Sequence, residues 1–153
     1  MEKIKEITLP DGWVVDKIEN GKVILKEDDN SPYIRWNKEK DGVEVIADGY
    51  HFIVSSMPTS VSSNWDDAKI LCEKLGGYLP TIDELKVMAK YIKEINQCFK
   101  DNNSLSCVLH LNNNYWSNSE HNNIASYYVY TKNGSVFTFI KKDHLYIRAF
   151  LRP

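Results

Sequence analysis

Four histidines, three cysteines and a set of scattered carboxylates are the groups with which this chain could do chemistry. His51, His110, His121 and His144 form no HExxH motif and no other tight ligand pair, so a metal centre is not expected. Glu120 and His121 are adjacent, and on a strand they would point to opposite faces. Cys72, Cys98 and Cys107 form no CxxC pair, which argues against a zinc site. An odd number of cysteines also argues against a complete disulfide framework, with one bridge left open. The favoured reading is three buried or half-buried thiols, since a free cysteine behaves as a small hydrophobe. There is no GxSxG sequence, and no Cys/His pair can be singled out for nucleophilic catalysis. Leu75-Gly76-Gly77-Tyr78 lacks the GK[ST] ending of a phosphate loop and reads as a helix C-terminus. Asp143, His144 and Arg148 are the one nearby polar set that could be nominated for an enzyme. Trp65 and Trp116 read as core side chains rather than cofactor contacts. No catalytic residue, metal or cofactor is expected from this inventory.

The chemistry that remains is recognition. Residues 112–130, NNNYWSNSEHNNIASYYVY, hold six asparagines followed by a run of aromatic and β-branched residues. Rigid rings supply contact area and short amides supply adaptable hydrogen bonds, which is how binding surfaces without a deep pocket are built. The stretch reads as an ordered loop leading into a strand. Asn133-Gly134 then marks a hairpin turn before SVFTFIKK. Folding about it pairs Thr131 with Val136, Val129 with Thr138 and Tyr127 with Ile140. The other side carries Tyr130 with Phe137 and Tyr128 with Phe139. One face must meet a core. If that is the Val129/Val136 face, four aromatics stand outward beside the asparagines. The alternatives are a sheet covered on both sides, or a core built from the four aromatics.

Positioning such a surface falls to the rest of the chain. Its 153 residues suit one domain with a hydrophobic core, 1–153, in which a β-rich segment, 1–55, packs on a body, 56–153. A net charge of -2 and scattered basic residues argue against a nucleic-acid partner. The first residues, MEKIKEITLPDGW, contain no apolar core of a signal peptide, and no apolar run is long enough for a membrane span. A cytoplasmic or phage-particle location is therefore expected. Residues 13–26 read as a hairpin about Asn20-Gly21, with Glu19 opposite Lys22 and Ile18 opposite Val23. Residues 27–42 read as a polar loop. Val43–Ile46 and Tyr50–Val54 read as strands joined at Ala47-Asp48-Gly49. Asn64 caps a first helix with Asp66 and Asp67 in its first turn and Ala68, Leu71, Cys72 and Leu75 as its apolar stripe. Thr81-Ile82-Asp83-Glu84 is a capping box for a second helix carrying Leu85, Met88, Ala89, Ile92, Ile95 and Phe99. HLYIRAFLR reads as a final strand.

Three segments in this order resemble one family. They are Trp65…Ala68…Cys72-Glu73-Lys74-Leu75-Gly76-Gly77-Tyr78-Leu79-Pro80-Thr81-Ile82-Asp83-Glu84-Leu85, then Tyr115-Trp116-Ser117-Asn118-Ser119-Glu120, then Tyr127-Tyr128-Val129 and Gly134-Ser135-Val136 before Ile147-Arg148-Ala149-Phe150-Leu151-Arg152-Pro153. Residues 64–153 thus resemble bacterial and phage domains of the C-type lectin-like fold. That group includes the Fibrobacter-type paralogous domains and the variable proteins of diversity-generating retroelements.

The resemblance implies an α+β fold with two helices packed on curved antiparallel sheets, N- and C-terminal strands near one another, and here an added N-terminal β-hairpin. It also implies that Tyr127, Val129 and Val136 point inward, leaving Tyr128, Tyr130, Phe137 and Phe139 outward. In the variable proteins this C-terminal part displays the ligand-binding residues. Mapped here, the ligand-binding set is Asn113, Asn114, Asn118, His121, Asn122, Asn123, Tyr128, Tyr130, Phe137 and Phe139. The EPN, QPD and WND motifs of calcium-dependent sugar-binding lectins are absent, as are the paired active-site cysteines of formylglycine-generating enzymes. The expected function is calcium-independent, non-enzymatic binding of a protein or cell-surface ligand. The alternative is a structural or assembly protein whose aromatic face is a subunit interface. The sequence leaves the oligomeric state open.

Overall fold

The structure, a computed structural model, describes residues 13–27 and 31–153. The expectations for the N-terminal dozen residues and for the aspartates after Glu27 lie outside them. The chain forms two compact units, Met1–Ser31 and Pro32–Pro153.

The described residues of the first unit form a hairpin. Strands β1 (Trp13–Glu19) and β2 (Lys22–Glu27) pair antiparallel, with Glu19 opposite Lys22 and Ile18 opposite Val23 as expected. Asn20 and Gly21 both take positive φ, 50° and 75°, as the tight turn requires. A register shift between Val15 and Lys17 leaves Asp16 as the extra residue of a bulge.

The second unit is α+β. Its first sheet has the order β11-β5-β4-β3, built from β3 (Tyr33–Asn37), β4 (Gly42–Ala47), β5 (Tyr50–Ser55) and β11 (Phe150–Leu151). The presence of β3 corrects the reading of 27–42 as loop. Pro32 and the charges after Asn37 mask a five-residue alternation in which Ile34 and Trp36 turn inward while Tyr33 and Arg35 turn out. The second sheet has the order β6-β10-β7-β8-β9, built from β6 (Ser62–Ser63), β7 (Asn114–Glu120), β8 (Ala125–Tyr130), β9 (Ser135–Ile140) and β10 (Leu145–Tyr146).

Three helices, not two, lie between these strands. Asn64 caps α1 (Trp65–Lys74) through its side chain, and the expected capping box of Thr81 and Glu84 opens α2 (Ile82–Lys90). Leu75, placed in the apolar stripe by spacing, is instead 49% exposed, because the helix has ended there. The second expected helix breaks at Tyr91, which leaves helical dihedrals (φ -109°, ψ 22°) before α3 (Ile92–Asp101). The break is anchored from outside. Lys90 Nζ and the Tyr91 hydroxyl both donate to the Asp48 carboxylate in the β4–β5 turn, at 2.9 and 3.0 Å.

Two cores result. One joins the first sheet to α2, α3 and the inner side of the second sheet, around Val43, Phe52, Leu85, Met88, Phe99, Tyr115 and Val129. The other joins α1 to the opposite side of β7, around Trp65, Ala68, Cys72, Trp116 and Ile147. Tyr115 and Trp116 are neighbours in sequence, both fully buried, and each serves a different core. The return strand β11 closes the unit against β5, and Gly77 lets it approach, since a Cβ there would lie 2.3 Å from the Phe150 carbonyl oxygen.

Candidate aromatic recognition surface

The asparagine-rich stretch is a hairpin rather than a loop. Asn114 to Glu120 form β7, residues 121–124 turn the chain, and β8 returns antiparallel with Tyr115 opposite Val129 and Trp116 opposite Tyr128. The turn is tied by Asn122, whose Oδ1 accepts from the amides of Ile124 and Ala125 at 2.8 and 2.9 Å.

The next hairpin differs from the expected one by two residues. Its loop is Thr131–Gly134, closed by the Gly134 amide donating to the Tyr130 carbonyl at 2.8 Å, so Tyr130 faces Ser135, Tyr128 faces Phe137 and Ser126 faces Phe139. Asn133 Oδ1 accepts from the Ser135 amide at 3.0 Å, which stabilises the wider loop. An even slip preserves the side each residue faces. Val129 is fully buried against the first core, and Val136 packs against that core half-buried. Tyr128, Tyr130, Phe137 and Phe139 share the other side.

That side is neither wholly covered nor wholly open. At β7 it is sealed by Trp116, whose indole N–H donates to the Ser63 carbonyl at 2.9 Å. At β9 it runs out to solvent, with Phe137 51% and Phe139 38% exposed. Tyr128 bridges the two zones, its ring centroid 5.8 Å from that of Phe137 and 6.2 Å from that of Phe139, while Trp116 lies 6.4 Å from Phe139. Offset and edge-on contacts at these separations are favourable for aromatic pairs. The exposed rings therefore stand on a buried aromatic base.

A charged group borders the second core, unforeseen in the sequence. Lys141 Nζ lies 2.8 Å from Glu120 Oε2 and 4.8 Å from the Trp65 ring centroid, and Lys69 Nζ lies 3.8 Å from the same ring. The Lys141 hydrogen bond holds the Glu120 carboxyl below its usual range. Trp65 itself is buried, its indole N–H donating to the Ser117 carbonyl at 2.7 Å. The spacing of Trp65 and Lys69, one helical turn apart, was a legible signal for this contact.

The polar residues nominated from sequence separate into two groups. Asn114 lies opposite Tyr130, at the Thr131–Gly134 end of the sheet, with Asn113 beside it. Asn113 helps to hold the hairpin together, because its amide donates to Thr131 Oγ1 at 2.9 Å. His121, Asn122 and Asn123 sit at the other end of β8, roughly 20 Å away for a strand of that length. His121 Nδ1 pairs with the Tyr127 hydroxyl at 2.9 Å, and Tyr127 leaves β8 on the side opposite Tyr128. Asn118 is exposed in β7, its amide donating to the Pro80 carbonyl at 2.8 Å. The structure thus gathers Tyr128, Phe137 and Phe139, puts Tyr130 with Asn114 at one end, and places His121, Asn122 and Asn123 elsewhere.

The nominated catalytic set does not converge. Asp143 and His144 are exposed, whereas Arg148 is buried with its Nη1 donating to the Ser55 carbonyl at 2.8 Å. The three cysteines are free; Cys72 is buried, and burial pushes its thiol up to about 12. No group of three or more metal-binding side chains occurs among the described residues. None of the helices among them is long and apolar enough to cross a membrane. No protein-family model matches the chain, and the comparison with curated proteins found no match.

Proposed function

We propose that the chain is a non-enzymatic binding module with a C-type lectin-like fold, which takes a protein or cell-surface ligand on the aromatic side of β8 and β9 without calcium. The observation that carries this reading is the exposure of Phe137 and Phe139 on a base of Tyr128 and buried Trp116. Exposed rings on a fixed base lose little side-chain entropy on binding. The fold assignment draws support from the pairing of the last strand with β5, ahead of two capped helices. In this reading the module works in a bacterial cytoplasm or on a phage particle.

The test is capture from bacterial surface extracts on the immobilised chain, with Tyr130→Ala and Phe137→Ala alongside. The expected result is a component held by the wild type and weakened about tenfold or more by each substitution, at unchanged melting temperature. No retained component, or one held equally by both variants, would overturn the proposal.

A further inference from the structure

We infer that the outer edge of β9 is the seam of a symmetric dimer, in which two copies of this chain join their five-stranded sheets into one. β9 ends the order β6-β10-β7-β8-β9, so among the described residues no strand lies beside one side of its backbone. The phase of the ladder identifies which groups face that side. The Thr131 amide donates to the Asn113 carbonyl at 2.9 Å, which turns the odd-numbered backbone groups of β8 towards β7. The Lys141 amide donates to the Ile124 carbonyl at 2.8 Å, in register with the pairing of Ser126 to Phe139 and Tyr128 to Phe137. The amides and carbonyls of Val136, Thr138 and Ile140 therefore point outward.

Edge strands of lone domains are normally guarded by a charge, a proline or a bulge. Ser135–Ile140, SVFTFI, has none of these, and its pairing with β8 shows no register shift. Four of its side chains are bare as well: Thr138 is exposed, and Phe137, Phe139 and Ile140 are 51%, 38% and 48% exposed.

The sequence of the strand selects a second copy as its partner. Antiparallel pairing about a two-fold axis at Thr138 sets Thr138 opposite itself, Val136 opposite Ile140 and Phe137 opposite Phe139 of the second copy. Outward backbone groups then meet outward backbone groups, making on the order of six hydrogen bonds. Aromatic side chains meet aromatic ones and aliphatic meet aliphatic, the pairs that stabilise antiparallel ladders. Lys141 and Lys142 fall opposite Ser135 and Gly134 of the second copy, so no lysine meets a lysine. The interface is isologous and closes on itself. It also brings Tyr128, Phe137 and Phe139 of both copies onto one continuous surface. The dimer goes beyond the ligand-binding reading and stands without it.

The test is sedimentation velocity on the full chain from about 1 µM to about 1 mM, with Thr138→Lys for comparison and amide hydrogen exchange at several concentrations. Thr138 is exposed and its amide does not serve β8, so the substitution leaves the fold intact while setting two lysines face to face. The expected result is a dimer whose dissociation constant rises about tenfold or more in Thr138→Lys. The amides of Val136, Thr138 and Ile140 gain protection as concentration rises, whereas those of Phe137 and Phe139 are protected throughout. A monomer over the whole range, a trimer or larger assembly, a dimer that Thr138→Lys does not weaken, or exchange at those three amides that ignores concentration would each overturn the inference. Monomeric Thr138→Lys that still captures a surface component would separate this inference from the binding proposal.

Discussion

Arg148 is the residue with the least ordinary surroundings. It is 1% exposed, donates one hydrogen bond to Ser55 and lies over the Phe99 ring at 5.6 Å. Burial pulls its guanidinium down to about 10, since the low-dielectric interior disfavours the charge. A long apolar side chain would fill the same space without that desolvation. Arg148→Met is therefore expected to be more stable than Arg148→Ala by about 2 kcal/mol in denaturant unfolding, the difference being the cavity that alanine leaves. Glu44 is set by its neighbours instead. His51 at 2.7 Å, then Asn37, hold its carboxyl below its ordinary value of 4.5. A depressed carboxylate contributes stability above its unfolded value and loses it as pH falls through the folded one. His51→Ala should thus flatten the fall of melting temperature with acid below about 4.5, and an unaltered acid profile would contradict this. Neither feature was readable in the sequence: Arg148 meets Ser55 from 93 positions away, and the Glu44 contacts, each seven positions apart, depend on how β3, β4 and β5 pair.

At the scale of elements, the local signals carried furthest where they are chemical rather than statistical. Thr81→Ala removes one half of the capping box and should cost about 1 kcal/mol in thermal unfolding. Gly76 and Gly77 make a sharper contrast. Gly76 has φ +80° and open space around it, so Gly76→Ala carries strain of about 1 kcal/mol. Gly77→Ala forces a Cβ against the backbone of Phe150 and should cost about 3 kcal/mol, with loss of the β11 pairing. The caps at Asn64 and Thr81 and the turn at Asn20-Gly21 were legible because each residue type has one dominant local use there. The break at Tyr91 was not. The apolar spacing from Leu85 to Phe99 continues across it, and the carboxylate that meets Lys90 and Tyr91 there, Asp48, is far away in sequence. The β8–β9 register was half legible: the residues left the inward face open and the family resemblance put Val129 and Val136 there, whereas the four-residue loop, in which Asn133 accepts from the Ser135 amide, was not foreseen.

At the scale of the molecule, both hydrophobic cores lie within residues 32–153. A chain of those residues alone should unfold cooperatively. An isolated peptide of residues 13–27 should show no stable strand structure, since a lone hairpin is marginal in water. Circular dichroism of the two checks both outcomes. The α+β class was legible through the family resemblance, beside the turn signals and capped helices read from the residues, and the aromatic run pointed to the exposed side of the second sheet. The separation of the asparagines to opposite ends of β8 was not legible, because it depends on where the chain turns. A binding surface of this kind requires open aromatic rings over a closed base. The measurement that tests it most directly is relaxation of ring protons by a soluble paramagnetic agent, in the monomeric Thr138→Lys chain. Strong relaxation of Phe137 and Phe139 with Trp116 shielded is the predicted result. Shielding of Phe137 and Phe139 equal to that of Trp116 would contradict it and leave the binding surface without its rings.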